Sequence, residues 1–292
     1  MENNEVLIHS EEVQLRPGVV KKFLKNRLAV LGFVIVVLVV LTAIFAPIIA
    51  THDPNAINAS ESFLSAGEKG HLLGTDNFGR DLFSRIIYGS RISIIVSISS
   101  ILLGGVLGVI LGLVAGYFGG IIDASLMRIM DGFSAFPFIL LAILLMTVLG
   151  QGLPNVILAI GVGNIPGFAR IIRSQVLNVK EEEFIEVEHS LGASNTRIIF
   201  HHILPNCIPS LIVYGTINVA GAIISEATLS FLGLGIQPPT ASWGSILRDG
   251  KSFLAVSPGI ATFSGIAILL TVLGINMLGD GLRDALDPKS IE

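Results

Sequence analysis

Charged residues in this chain fall in short clusters separated by long uncharged runs, at 28–52, 92–122, 132–169, 198–225 and 252–279. The shortest, 28–52, holds 25 residues. A membrane-spanning helix needs about 20 apolar residues, because each residue rises about 1.5 Å and the hydrocarbon layer is about 30 Å thick. Four runs therefore hold one span each. The run 132–169 is interrupted by Gly150-Gln151-Gly152-Leu153-Pro154-Asn155, a cluster that favours a turn, and so predicts two spans joined by a hairpin. The pattern thus predicts an all-α integral membrane protein with six transmembrane helices, at 28–50, 94–117, 132–149, 155–172, 208–227 and 259–279.

An even number of spans puts both termini on one side, and lysine and arginine select which side. With the N-terminus inside, the inner segments carry Arg16, Lys21, Lys22, Lys25, Arg27, Arg128, Arg170, Arg173, Lys180, Arg197, Arg283 and Lys289, 12 of the 18 basic residues. The outer segments carry Lys69, Arg80, Arg85, Arg91, Arg248 and Lys251. The bias predicts an N-in, C-in topology. The resulting division is a cytoplasmic tail at 1–27, the first helix at 28–50, an extracytoplasmic segment at 51–91, a transmembrane domain at 92–281 with a cytoplasmic segment at 173–206, and a tail at 282–292. A cleaved signal peptide is the rival reading of the first run, but that run exceeds the 7–15 apolar residues of a signal core and reads better as an uncleaved anchor.

Composition agrees: 52% of the 292 residues are hydrophobic and 14% charged, where a soluble domain carries about a quarter charged. The lone cysteine, Cys207, offers no disulfide or metal framework.

The second run carries Gly104, Gly108, Gly112, Gly116 and Gly120, spaced by four. On a helix these form one smooth stripe, suited to close backbone packing or to lining a path. Intramembrane charge is sparse. Glu226 and Asp280 lie near span ends, from which a carboxylate reaches water or a partner, and no acidic chain crosses the bilayer, which disfavours a proton- or sodium-driven carrier. No G-x-x-x-x-G-K-[ST] loop is present to hold nucleotide phosphates. No nucleophile with a base suggests an intramembrane enzyme, and His189, His201 and His202 lack accompanying metal-ligand spacing.

The inner segment Glu181 to Asn206 reads EEEFIEVEHSLGASNTRIIFHHILPN. Phe184, Ile185 and Leu191 recur at helical intervals, and Gly192 ends that helix as a C-terminal cap. Ser194 or Asn195 starts a second helix through His202, which Pro205 closes. Two short helices meeting at a Gly-Ala-Ser elbow suit insertion into a partner's groove. Glu181, Glu182, Glu183, Glu186 and Glu188 argue against lying on anionic lipid.

Glu186, the Gly192-Ala193-Ser194 elbow and Ile203-Leu204-Pro205-Asn206 resemble the cytoplasmic EAA loop of type I ABC importer permeases. The two alanines that usually follow the glutamate are Val187 and Glu188 here. His71 to Ser93, Phe231 to Gly244 and Leu278 to Pro288 are similar to segments of the dipeptide, oligopeptide and nickel branch, and the likeness covers residues 25 to 290. The long outer loop after the first span is similar to the C-type permeases of that branch.

The resemblance implies the type I ABC importer permease fold in a multi-pass bacterial or archaeal cell membrane protein. It further implies a B-type permease partner in a heterodimer, one or two ABC ATPase subunits, an extracytoplasmic substrate-binding protein, and no nucleic acid. No cofactor is expected on this chain, ATP and Mg being used by the ATPases. Glu186, Gly192, Ala193, Ser194 and Arg197 are the expected ATPase-coupling residues. Pro238, Pro239 and Trp243 are candidates for binding-protein contact or for rigid turn packing. Arg80 and Asp81 either pair with the binding protein or cap a helix. Imported peptide is the favoured cargo, nickel or a metal chelate the alternative. A membrane scaffold without transport is the rival from another class.

Overall fold

The computed structural model describes residues 19–286, so Arg16, Pro288 and Lys289 lie outside the described residues. A short helix α1 (Val19–Lys25) precedes α2 (Arg27–Ile44), which Asn26 starts by accepting from the backbone N–H of Leu28 and Ala29. The one-turn α3 (Ala46–Ile49) ends the first span. Then come α4 (Leu82–Phe118), α5 (Gly120–Ser134), α6 (Phe138–Leu149) and α7 (Leu153–Lys180). The helices α8 (Glu183–Ser190) and α9 (Asn195–Arg197) lead through a π-helical turn (Ile198–Ile203) into α10 (Leu204–Phe231). An outer helix α11 (Trp243–Lys251) and the last span α12 (Gly259–Leu286) complete the described residues. Among the described residues no strand occurs beyond the isolated bridge between Thr75 and Asp81.

Among the described residues five helices are long and apolar enough to cross a membrane, and the bent pair α5–α6, counted as one span, brings the number to six. This bend corrects the single helix expected at 132–149. The two helices meet at 87°. Pro137 lacks a backbone N–H and pushes Phe136 out of helical geometry, so the helix breaks there. At 12 residues, α6 reaches only about 18 Å and does not cross the bilayer alone.

Other boundaries shift outward. α4 begins at Leu82 rather than 94, carrying Arg85 and Arg91 into the helix, because Asp81 caps it and Asp76 pairs with Arg85 (3.6 Å). α7 runs past 172 to Lys180, where Arg173 and Lys180 find acceptors on α5 and α4. Pro205 does not close the elbow's second helix. The π turn spreads the backbone where the proline ring would clash with the preceding turn, Asn206 Nδ2 donates to the His202 carbonyl at 2.7 Å, and the helix continues to Phe231.

The bundle is held by close helix crossings. A Cβ placed on Gly104, Gly108, Gly112 or Gly116 would come within 2.8 Å of α7 atoms, including the backbone oxygens of Gly161, Ile165 and Ala169. These four glycines therefore let α4 and α7 touch backbone to backbone, where lipid offers no hydrophobic drive for association. Gly120 departs from the stripe. It lies beyond the end of α4 at φ 54°, with open space where a Cβ would go, and is the first residue of α5. A second crossing joins α2 to α12, where Gly32 faces the Gly274 carbonyl. Asn26 Nδ2 donates to Asp284 Oδ2 (3.3 Å), placing the start of α2 beside the end of α12, so both described ends lie on one side of the bundle.

Candidate functional site

The elbow at the inner end is built by a glycine-terminated helix. In α8 the Gly192 N–H donates to the His189 carbonyl and the Ala193 N–H to the Glu188 carbonyl, both at 3.0 Å, with Gly192 at φ 80°. This paired closure needs a left-handed residue, which glycine adopts without strain. Ser194 then caps α9 by accepting from the Arg197 N–H. One helix thus ends and the next begins across the Gly-Ala-Ser step that the sequence marks.

One face of the elbow is anchored. Ile185, Ile198 and Ile203 are buried against Leu113 and Tyr117 of α4, Ile172 and Val176 of α7, and Cys207. The Tyr117 hydroxyl donates to Asn195 Oδ1 (2.8 Å), and Lys180 Nζ donates to the Tyr117 carbonyl (2.8 Å). Nearby, Arg173 Nη2 donates to Asp123 Oδ2 at 2.6 Å, tying α7 to α5. The opposite face is free. Glu186, Gly192, Ser194 and Arg197 are exposed, Ala193 is half-buried, and Phe184, Val187, Leu191 and Phe200 present large apolar side chains to solvent. Of the three inner histidines, His202 lies 3.5 Å from Glu188 within the elbow, while His189 and His201 are exposed. Of the sequence-predicted coupling residues, Glu186 lies on α8, Gly192, Ala193 and Ser194 form the elbow, and Arg197 ends α9, all of them exposed except the half-buried Ala193. Tyr117, which foots the elbow on α4 through Asn195 and Lys180, has no counterpart in the sequence analysis because a single tyrosine at a span end carries no distinguishing pattern.

The outer end is a compact polar cap. Asp81 caps α4, its Oδ2 accepting from the Ser84 N–H at 2.8 Å, and Arg80 Nε donates to Asp76 Oδ2 at 2.6 Å. Both Arg80 and Asp81 are buried, which favours helix capping over outward pairing. Burial works to raise the Asp81 pKa, but hydrogen bonds from Ser84 and His71 outweigh it and hold the carboxyl below its ordinary range. Pro238 and Pro239 are exposed. Trp243 is turned inward, 3% exposed, its Nε1 donating to the Ile86 carbonyl at 3.1 Å. Its packing role, rather than outward contact, is what this geometry shows.

Glu226 also departs from expectation. It reaches neither water nor a partner, being fully buried with Ser93 Oγ (3.1 Å) and Ser230 Oγ (2.8 Å) donating to its carboxylate. Asp280 is exposed as expected.

Residues 108–292 match the family described as binding-protein-dependent transport system inner membrane component, and residues 18–66 match the N-terminal transmembrane domain of oligopeptide transport permease C. The dipeptide transport system permease protein of Alkalihalophilus pseudofirmus is 46% identical over 269 residues, covering 92% of this chain and 88% of the relative. The glutathione transport system permease protein of Escherichia coli is 44% identical over 269 residues, covering 92% and 89%. Among solved structures, an inward-facing methionine ABC transporter covers 70% of this chain and 98% of its own, with TM-score 0.58 and 21% identity, a likeness of fold. An elbow footed on three spans, a glycine-packed helix bundle and these matches agree, and the chain belongs to the inner-membrane permease components of binding-protein-dependent ABC importers.

Proposed function

We propose that this chain is the C-type permease of a peptide importer, working as a heterodimer with a B-type permease. An extracytoplasmic binding protein delivers a short peptide to the outer face. One or two ATPases, using ATP and Mg, grip the elbow from inside through Glu186, Gly192, Ala193, Ser194 and Arg197. The observation that carries this reading is the elbow's two-sided character: one face buried on α4 and α7, the other exposing apolar side chains among carboxylates. A partner that moves the exposed face moves the spans with it, which is the differential contact a two-state switch requires. The 46% identity to a dipeptide permease supports peptide as the cargo.

The test uses the whole system reconstituted in vesicles. Gly192→Pro removes the N–H that caps α8 and forbids φ 80°, and Glu186→Arg reverses an exposed charge. Both variants should insert normally and lose import of labelled dipeptide. Normal uptake by both would sink the coupling role, and uptake of radioactive nickel but not dipeptide by the unaltered system would redirect the cargo.

A further inference from the structure

Three residues that the importer reading does not use converge at the outer cap. His52 follows the first span, His71 lies in the extracytoplasmic loop, and Asp81 starts α4. One ligand atom from each, a ring nitrogen from either histidine and a carboxylate oxygen from Asp81, lies within 4.8 Å of the other two. Asp81 Oδ1 is 2.8 Å from His71 Nδ1 and 3.7 Å from His52 Nδ1. We propose that His52, His71 and Asp81 form a binding site for one divalent transition-metal cation of the zinc class, fixed to the outer end of the permease.

The donor set selects that class. Two imidazoles and one carboxylate suit zinc and its neighbours, whereas magnesium and calcium prefer oxygen alone. Metal–ligand distances of about 2.0–2.2 Å put neighbouring ligand atoms roughly 3–3.5 Å apart; the Asp81 separations of 2.8 and 3.7 Å lie close to that range, and the two histidines close in from within 4.8 Å by rotation of the exposed His52 side chain. The two histidine rings stack with centroids 4.5 Å apart, and each has its Nδ1 near Asp81 Oδ1.

Surrounding groups are arranged as a metal site requires. Asp81 Oδ2 accepts from the Ser84 N–H at 2.8 Å, which leaves Oδ1 for the histidines, and the Thr51 hydroxyl lies 3.4 Å from Oδ2 and 3.0 Å from His52 Nδ1, within reach of both ligands. The far nitrogen of His71, Nε2, faces Glu61 Oε2 at 3.6 Å, the carboxylate behind a ligating imidazole that fixes ring orientation and raises its basicity. Asp81 and His71 are buried while His52 is exposed, giving the ion an entry path and a solvent-facing position for water. A bound ion would tie the end of the first span to the start of the second.

The experiment uses the assembled importer in lipid nanodiscs, stripped by a chelator and titrated with zinc against a chromophoric chelator, then with cobalt for its visible absorption. His52→Ala removes an exposed ligand and its stacking on His71 but leaves the buried His71–Asp81 and Ser84–Asp81 hydrogen bonds intact. The unaltered complex should bind one zinc more per copy of this chain than the His52→Ala complex, whose metal-free melting temperature should be unchanged. Zinc should raise the melting temperature of the unaltered complex only. Glu61→Gln should weaken zinc binding about 10-fold or more without removing the site. Equal zinc stoichiometry and equal zinc response in the unaltered and His52→Ala complexes would overturn the proposal, because metal held by the ATPases or by other surfaces is common to both.

Discussion

The Tyr117 hydroxyl, at the last turn of α4, donates to the side-chain oxygen of Asn195 at the first residue of α9, 2.8 Å away. Lys180, ending α7, donates to the same tyrosine's carbonyl and lies 5.6 Å from its ring centroid. Two spans and the elbow thus share one residue. A displacement of the elbow reaches α4 and α7 through directional contacts as well as through the buried isoleucines beneath it.

Tyr117→Phe isolates the directional part. It keeps the ring and the Lys180 contact and deletes one partly buried hydrogen bond, worth about 1 kcal/mol. The variant should melt slightly lower and should import less peptide per ATP consumed in reconstituted vesicles. An unchanged ratio of transport to hydrolysis would show that the isoleucine footing alone transmits the motion.

The glycine crossing predicts a sharper contrast. A Cβ on Gly112 would meet the Ala169 carbonyl at 2.6 Å, and backbone yields only if the helices separate. Gly112→Ala should destabilise the folded chain by about 1–3 kcal/mol, the usual range for overpacking. Gly132→Ala, in α5 with open space around it, should be neutral or stabilise by up to about 1 kcal/mol. Thermal unfolding in detergent, read by dye accessibility of buried Cys207, compares the two.

The spans were legible because the absence of charge over 25 residues has few other physical causes, and the elbow because glycine after an amphipathic turn forces a reversal. What the sequence hid has specific reasons. Pro137 sits inside an uncharged run, where hydropathy does not register a bend. Gly120 keeps the spacing of the stripe, but the preceding Gly119, also at positive φ, has already ended the helix. Glu226 looked solvent-bound because a lone carboxylate near a span end usually is, and the serines that hold it come from positions 93 and 230. The outer cap escaped for a similar reason: Asp249 reaches Arg80 from a distant part of the chain and joins the local pairs of Asp76 with Arg80 and Arg85.

Glu226 makes a third test. Ser93 Oγ also accepts from the Trp243 N–H (3.3 Å), and Ser230 Oγ from the Ile236 N–H (3.2 Å), so the carboxylate joins α4, α10 and the outer cap. Glu226→Ala leaves both hydroxyls without their acceptor in a buried space, at about 1–3 kcal/mol for each group left unpaired. Glu226→Gln retains one acceptor oxygen and should lose less. The order of melting temperatures, unaltered above Gln above Ala, checks the arrangement, and equal values for Gln and Ala would contradict it.

The elbow's free face separates folding from docking. Leu191 is 78% exposed at the tip, just before Gly192, where it contributes little to the stability of this chain. A large apolar side chain held in water beside an acidic helix fits a partner's pocket, and burying it would contribute about 1.5–3 kcal/mol to association. Leu191→Ser should therefore leave the melting temperature of the permease within measurement error while weakening ATPase binding roughly 10-fold or more, 10-fold corresponding to about 1.4 kcal/mol. Ile185→Ser, on the buried face 1% exposed, should do the reverse in the first respect and destabilise the chain itself. Titrating purified ATPase onto nanodisc-held permease measures the first effect and thermal unfolding the second. If Leu191→Ser bound ATPase as tightly as the unaltered chain, the docking surface would have to lie elsewhere on the inner end.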